Sequence, residues 1–141
     1  MIEVVNRQRR RKIDTEKWRS FAAHALRAIG QEHQSATVAF ISDRRMRELN
    51  RSFRGVDKTT DVLSFPSGDD QFSQITESYL GDVSISVERA VAQAKENGLK
   101  LDREIAQLLV HGLLHLCGYD HETDNGEMNR LELRLRRRLG I

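Results

Sequence analysis

Apolar residues recur along this chain at two spacings that alternate from segment to segment. Trp18, Phe21, Ala22, Ala25, Leu26 and Ile29 fall three and four apart, which predicts an amphipathic helix. Asp14 or Thr15 is placed to cap its start and Gly30 to stop it. Met46, Leu49 and Phe53 predict a second, smaller helix, opened by Ser42 or Asp43 and broken at Arg54-Gly55. Val87, Ala90, Val91 and Ala94 line a third, ended by Gly98. From Leu101 to about Cys117 the chain is apolar on most sides, as a central buried helix would be. Met128, Leu131, Leu135 and Leu139 mark a last helix, and Asp124 and Glu127 have the spacing of a capping box before it.

Between these lie short β-rich runs: IEVV near the start, TVAFIS at 37–42, DVLSF before the only proline, Pro66, and LGDVSIS at 80–86. The stretch SGDDQFSQITES at 67–78 is polar and acidic with neither period, so it reads as a loop long enough to carry function. Four short strands among about five helices predict an α+β fold, a small mixed four-stranded sheet covered by helices. The alternation also permits a wholly parallel α/β sheet.

Length and composition narrow this further. The 141 residues contain no internal repeat or low-complexity tract, which predicts one domain over 1–141. At 38% hydrophobic and 31% charged, the composition is that of a soluble globular chain rather than a disordered one. The most apolar run, LLVHGLLHLC at 108–117, is too short for a bilayer, so no membrane partner is expected. The opening MIEVVNRQRRRK lacks the order of a secretory signal, and a single cysteine forbids an internal disulfide. Both fit a reducing cytoplasm. The net charge of +2 conceals two basic clusters, Arg7, Arg9, Arg10, Arg11 and Lys12, and Arg134, Arg136, Arg137 and Arg138. They are either phosphate-binding patches or solvated chain ends paired with nearby carboxylates.

The chemistry concentrates in HGLLHLCGYDH at 111–121, which holds three of the five histidines. Positions four apart on a helix share a face, so His111 and His115 present two imidazoles to one point. Gly118 can take the left-handed conformation that ends a helix, and three residues later His121 can swing beneath the other two. Three imidazoles in an apolar helix would leave buried nitrogens unsatisfied unless something binds them. The expected occupant is one zinc ion on His111, His115 and His121, with water in an open fourth position. Nickel, copper or cobalt could use the same ligands. Cys117 points away and reads as a packing residue, and His24 and His33 lack the spacing.

The pattern H-x-x-x-H-x-x-G-x-x-H is that of metzincin peptidases with one change: their glutamate base is replaced by Gly112. Amide cleavage needs that proton shuttle, so a metallopeptidase is disfavoured. Taken with FRGVDKTTDVLSFP at 53–66 and LGDVSIS at 80–86, the motif resembles the YbeY family of bacterial endoribonucleases, over most of the chain from about Thr37 onward. Thr59 stands where that family commonly has proline, a change expected to loosen the turn.

The resemblance implies zinc on the three motif histidines and cleavage of single-stranded RNA. It also implies maturation of small-subunit ribosomal RNA at its 3' end, ribosome quality control, and small ribosomal subunit components as partners. DNA is not an expected substrate. A ribosome-assembly factor with a structural metal site is the alternative from another class. For cleavage, Arg54 is the catalytic candidate, since a guanidinium fork suits the charge that develops on phosphorus, and it matches the arginine the family uses. Asp120 is expected to orient a histidine or cap the turn. Glu104, about two turns before His111, is too far for direct catalysis but could support the site. Arg54, Lys58 and the two basic clusters are the candidate RNA contacts.

Overall fold

A computed structural model describes residues 1–67 and 79–141; the rest of the polar 67–78 stretch lies outside the described residues. The elements run β1 (Ile2–Asn6), α1 (Thr15–Ile29), β2 (Ser35–Ile41), α2 (Asp43–Arg54), β3 (Val62–Pro66), β4 (Tyr79–Ser86), α3 (Val87–Asn97), α4 (Leu101–Leu116) and α5 (Glu127–Leu139). The sheet order is β1-β2-β4-β3. β1, β2 and β4 run parallel, and β3 joins β4 antiparallel at the edge. The sheet is therefore mixed, as expected, and not wholly parallel.

Alternation along the strands gives the sheet two unequal faces. Ile2, Val4, Ala36, Val38, Phe40, Val83 and Ile85 point into the main core, which α1, α3, α4 and α5 complete. α4 is the central helix: Ile105, Leu109, Val110, Leu113 and Leu114 are almost wholly buried, and it packs on β3, β4, α1, α3 and α5. Each such side chain contributes roughly 1.5–3 kcal/mol by leaving water. Among the described residues the other face carries only α2, through Met46 on Ile41 and Leu63. Among the described residues no helix is long and apolar enough to cross a membrane.

The helix starts follow short polar side chains. Asp14 accepts from the Lys17 amide, Ser42 from Arg45 and Ser86 from Arg89, each satisfying a donor that the first turn leaves open. Ser42 is thus a cap rather than the end of a strand, and β2 begins two residues earlier than its hydrophobic run suggests. The capping box expected from Asp124 and Glu127 does not form, because the helix starts two residues later. Gly126 is the N-cap; Asp124 accepts from Met128 and Gly126, while Glu127 accepts from the Asn125 amide. Those two amides hold the Asp124 carboxyl below its usual range. The turn at Thr59 is tied rather than loosened, because its hydroxyl donates to the Asp43 carboxylate, which also accepts from Ser86 Oγ at 2.9 Å. Gly81 is needed where β3 meets β4: it holds φ +133°, and a Cβ there would meet the Phe65 carbonyl oxygen at 2.2 Å.

Candidate metal centre and cleft

α4 carries His111 and His115 one turn apart near its C-terminal end, both half-buried. Beyond Cys117 the chain turns through Gly118 at φ +95°, a conformation that glycine adopts without strain. The reversal brings His121 back against the helix. Ring centroids lie 4.7 Å apart for His111 and His115, 5.8 Å for His111 and His121, and 5.5 Å for His115 and His121. One nitrogen of each ring lies within 4.8 Å of the others, close enough to hold one metal ion. His111 Nε2 and His115 Nε2 are 3.2 Å apart. Two imidazoles on one tetrahedral ion, with bonds near 2.1 Å, would stand roughly 3.4 Å apart, so the donor set fits.

Electrostatics favour the lone-pair form. Burial first, and the neighbouring His111 charge second, push the His115 pKa below its usual 6.5. His111 is oriented from outside its own helix: Glu132 Oε1 on α5 lies 2.6 Å from His111 Nδ1. Glu132 is buried and also takes Arg136 Nη2 at 3.2 Å. Burial opposes ionisation of Glu132, but the His111 hydrogen bond, then the His111 and Arg136 charges, outweigh it and hold the carboxyl low. With Nδ1 taken as donor, His111 turns its Nε2 lone pair toward the other two rings.

Glu132 has no place in the sequence reading. Its signal was present, since Met128, Glu132 and Leu135 follow the helix period and all three are buried. An acid on a buried stripe demands a partner. Asp120 caps the turn: its carboxylate accepts the Glu122 amide at 3.0 Å and its carbonyl accepts the Thr123 and Asp124 amides. The contact that orients a histidine belongs to Glu132 instead. Glu104 is buried and paired with Asn97 at 3.3 Å, and it lines a second cavity with His111, Glu132 and Arg136. Burial also raises the Cys117 thiol, which fits an inert packing residue.

A cleft of about 500 Å³ opens over the three histidines, and Arg54, Asp61, Ser64 and Asp120 also line it. The end of α2 therefore delivers Arg54 to the histidines from 57 residues earlier in the chain. Lys58 does not reach this cleft; it lines a separate depression with Arg44, Arg47 and Arg89. The chain-end clusters are partly committed to acids, Arg10 to Glu88 and Arg136 to Glu132. A larger basic feature escaped the sequence reading, for α2 holds five arginines against two acids and exposes all five.

Gly112 has a steric reason of its own. A Cβ there would meet Val83 Cγ1 at 2.7 Å and Val62 Cγ2 at 3.2 Å, so α4 lies directly on the sheet at that point. The position where a metzincin carries its base faces β3 and β4 and has no room for a side chain.

The family model described as Endoribonuclease YbeY matches residues 3–140. The chain belongs to the endoribonuclease YbeY family. Among its relatives, the endoribonuclease YbeY of Aquifex aeolicus is 42% identical over 124 residues, covering 88% of this chain and 81% of that protein. The endoribonuclease YbeY of a Nitratiruptor species is 47% identical over 98 residues, covering 70% of this chain and 65% of the relative's length. The solution structure of TM1509 from Thermotoga maritima superposes with a TM-score of 0.64 at 25% identity, covering 99% of this chain and 89% of the other. The family match bears out the resemblance drawn from the histidine motif and its two companion segments.

Proposed function

We propose that this protein is a metal-dependent endoribonuclease that cuts single-stranded RNA, with His111, His115 and His121 as ligands of one zinc ion. The observation that carries the reading is that the three imidazoles and Arg54 line the same open cleft. Among the described residues no fourth protein donor joins the three histidines, which suits a catalytic ion more than a structural one. When bound, the ion supplies Lewis acidity to a phosphoryl oxygen and acidifies water.

The chain's own groups do the rest. Glu132 holds His111 by Nδ1 and keeps its Nε2 free for the ion. Arg54 is the catalytic candidate: its guanidinium meets two non-bridging oxygens as negative charge builds on phosphorus. Gly112 supplies no proton shuttle, which an oxyanion leaving group tolerates far better than the amine leaving group of peptide hydrolysis. The nucleophile is water or the neighbouring ribose hydroxyl. A cytoplasmic setting, action on the 3' end of small-subunit ribosomal RNA, ribosome quality control and small-subunit partners are part of the proposal, and family membership supports them.

Metal-loaded protein is incubated with single-stranded RNA and, separately, with an unfolded polypeptide, using wild type, His115→Ala and Arg54→Ala. Loss of RNA cleavage in both variants is expected. Cleavage that survives His115→Ala removes the ion from the reaction, and cleavage of polypeptide alone restores the peptidase. Binding to ribosomal particles without cutting either substrate points to an assembly factor.

A further inference from the structure

Among the described residues the second face of the sheet is closed at one end only. Beyond Met46, the side chains of Val5, Thr37, Ala39, Phe65 and Ser84 floor a shallow depression, and Phe53, Arg7 and Arg45, with one acid, Asp82, stand around it. The sequence places Phe53 on the apolar stripe of α2 with Met46 and Leu49. The structure buries Met46, half-buries Leu49 and leaves Phe53 68% exposed. Its ring meets the half-buried Phe65 edge-on, with centroids 5.1 Å apart. A large aromatic face held in water by a second ring, among guanidinium groups, is a surface that a flat, uncharged group on a polyanion would cover.

That surface adjoins the histidine cleft. Phe53 lines the depression, whereas its neighbour Arg54 lines the cleft. The edge strand β3 divides the two spaces, with Ser64 and Pro66 toward the cleft and Phe65 toward the depression. A strand with one phosphate at Arg54 needs only to cross β3 for a base beyond the cleaved pair to reach Phe53. Arg54 at the cleft and Arg45 and Arg7 at the depression favour a polyanion along that path. Duplex RNA keeps its bases stacked on one another, so its bases cannot use the platform.

We infer that Phe53, supported by Phe65, is a base-stacking platform that holds a nucleotide beyond the two joined by the cleaved phosphodiester and selects single-stranded RNA. This rests on the endoribonuclease reading of the adjacent cleft.

The test uses metal-loaded full-length protein and compares wild type, Phe53→Ala and Phe53→Trp. The substrates are a twelve-nucleotide single-stranded oligoadenylate and a dinucleotide too short to span both spaces. Phe53→Ala is expected to raise KM for the long substrate about 5- to 100-fold, the range for one lost base stack, with kcat nearly unchanged. Phe53→Trp should restore KM, and the dinucleotide should be cut equally by all three. Unchanged KM in Phe53→Ala overturns the platform, and so does an equal loss on the dinucleotide, which would mean that Phe53 merely supports Arg54. Because Phe53 is exposed, its replacement should leave the thermal midpoint in place. Arg45→Gln is a second variant, expected to lower the salt dependence of binding by roughly one phosphate. If the wild type cuts no RNA, the cleft reading fails, and anisotropy with the same oligoadenylate still decides the platform. Weaker binding by Phe53→Ala then upholds it, and equal binding, or an effect confined to a protein partner, overturns it.

Discussion

Glu132 Oε1 lies 2.6 Å from His111 Nδ1, and this contact joins α5 to the histidine cluster on α4. A carboxylate behind an imidazole sets the tautomer, the ring orientation and the basicity of the far nitrogen. Glu132→Ala should therefore weaken metal binding by about 10- to 100-fold, and Glu132→Gln, which keeps an acceptor oxygen, by less. Competition against a chelator of known affinity measures both. Equal affinity in wild type and Glu132→Ala would show that the contact serves folding alone.

Arg54 is the one cation from α2 that lines the histidine cleft. Removing a donor aimed at developing charge costs on the order of 10²- to 10³-fold in kcat. Arg54→Ala should show that loss while its zinc content stays at the wild-type level. Single-turnover cleavage with metal analysis on the same sample separates the two effects. A variant that loses both metal and activity would assign Arg54 to the integrity of the site.

Gly112→Ala sets two effects against each other. Helix propensity favours alanine by up to about 1 kcal/mol, while overpacking costs about 1–3 kcal/mol. Val83 is fully buried and a Cβ would stand 2.7 Å from its Cγ1, so the steric cost wins. The net loss should be roughly 1–2 kcal/mol by denaturant unfolding. Gly112→Glu should fold worse still and gain no peptidase activity, since the side chain would point into the sheet.

Stability should depend on pH through His115. Its folded-state pKa lies below the usual 6.5 because burial, then the His111 charge, disfavours the imidazolium. The unfolded chain therefore binds the proton more tightly. Stability present above pH 6.5 is lost as the pH falls through the lower folded value. Zinc competes with protons for the same lone pair and should move that loss to lower pH. Thermal midpoints between pH 8 and 5, with and without zinc, test this; coincident curves would remove His115 from the linkage.

Much of the candidate site was legible because its signals are local. His111 and His115 share a helix face by the period alone, Gly118 marks the reversal, and His121 follows within a few residues. The caps Asp14 and Ser42 were equally readable, since a cap bonds to an amide three residues away. Glu132 was not identified, because its partner lies 21 residues back on another helix and a hydrophobic stripe does not say which element it packs on. Phe53 lies on α2 as its spacing predicts, but its exposure was not legible, because a position on a helix stripe says nothing about which part of the sheet lies beneath it.

The order of residues alone determined that three imidazoles can meet around one ion, because helix pitch and a glycine turn are properties of short segments. Which groups complete that meeting point was decided only by the tertiary structure. The packing of α5 on α4 delivers Glu132, the end of α2 brings Arg54 across from its own segment, and the approach of α4 to β4 forbids any side chain at Gly112. Those contacts depend on how separate elements pack, and apolar burial, which drives the packing, is not directional.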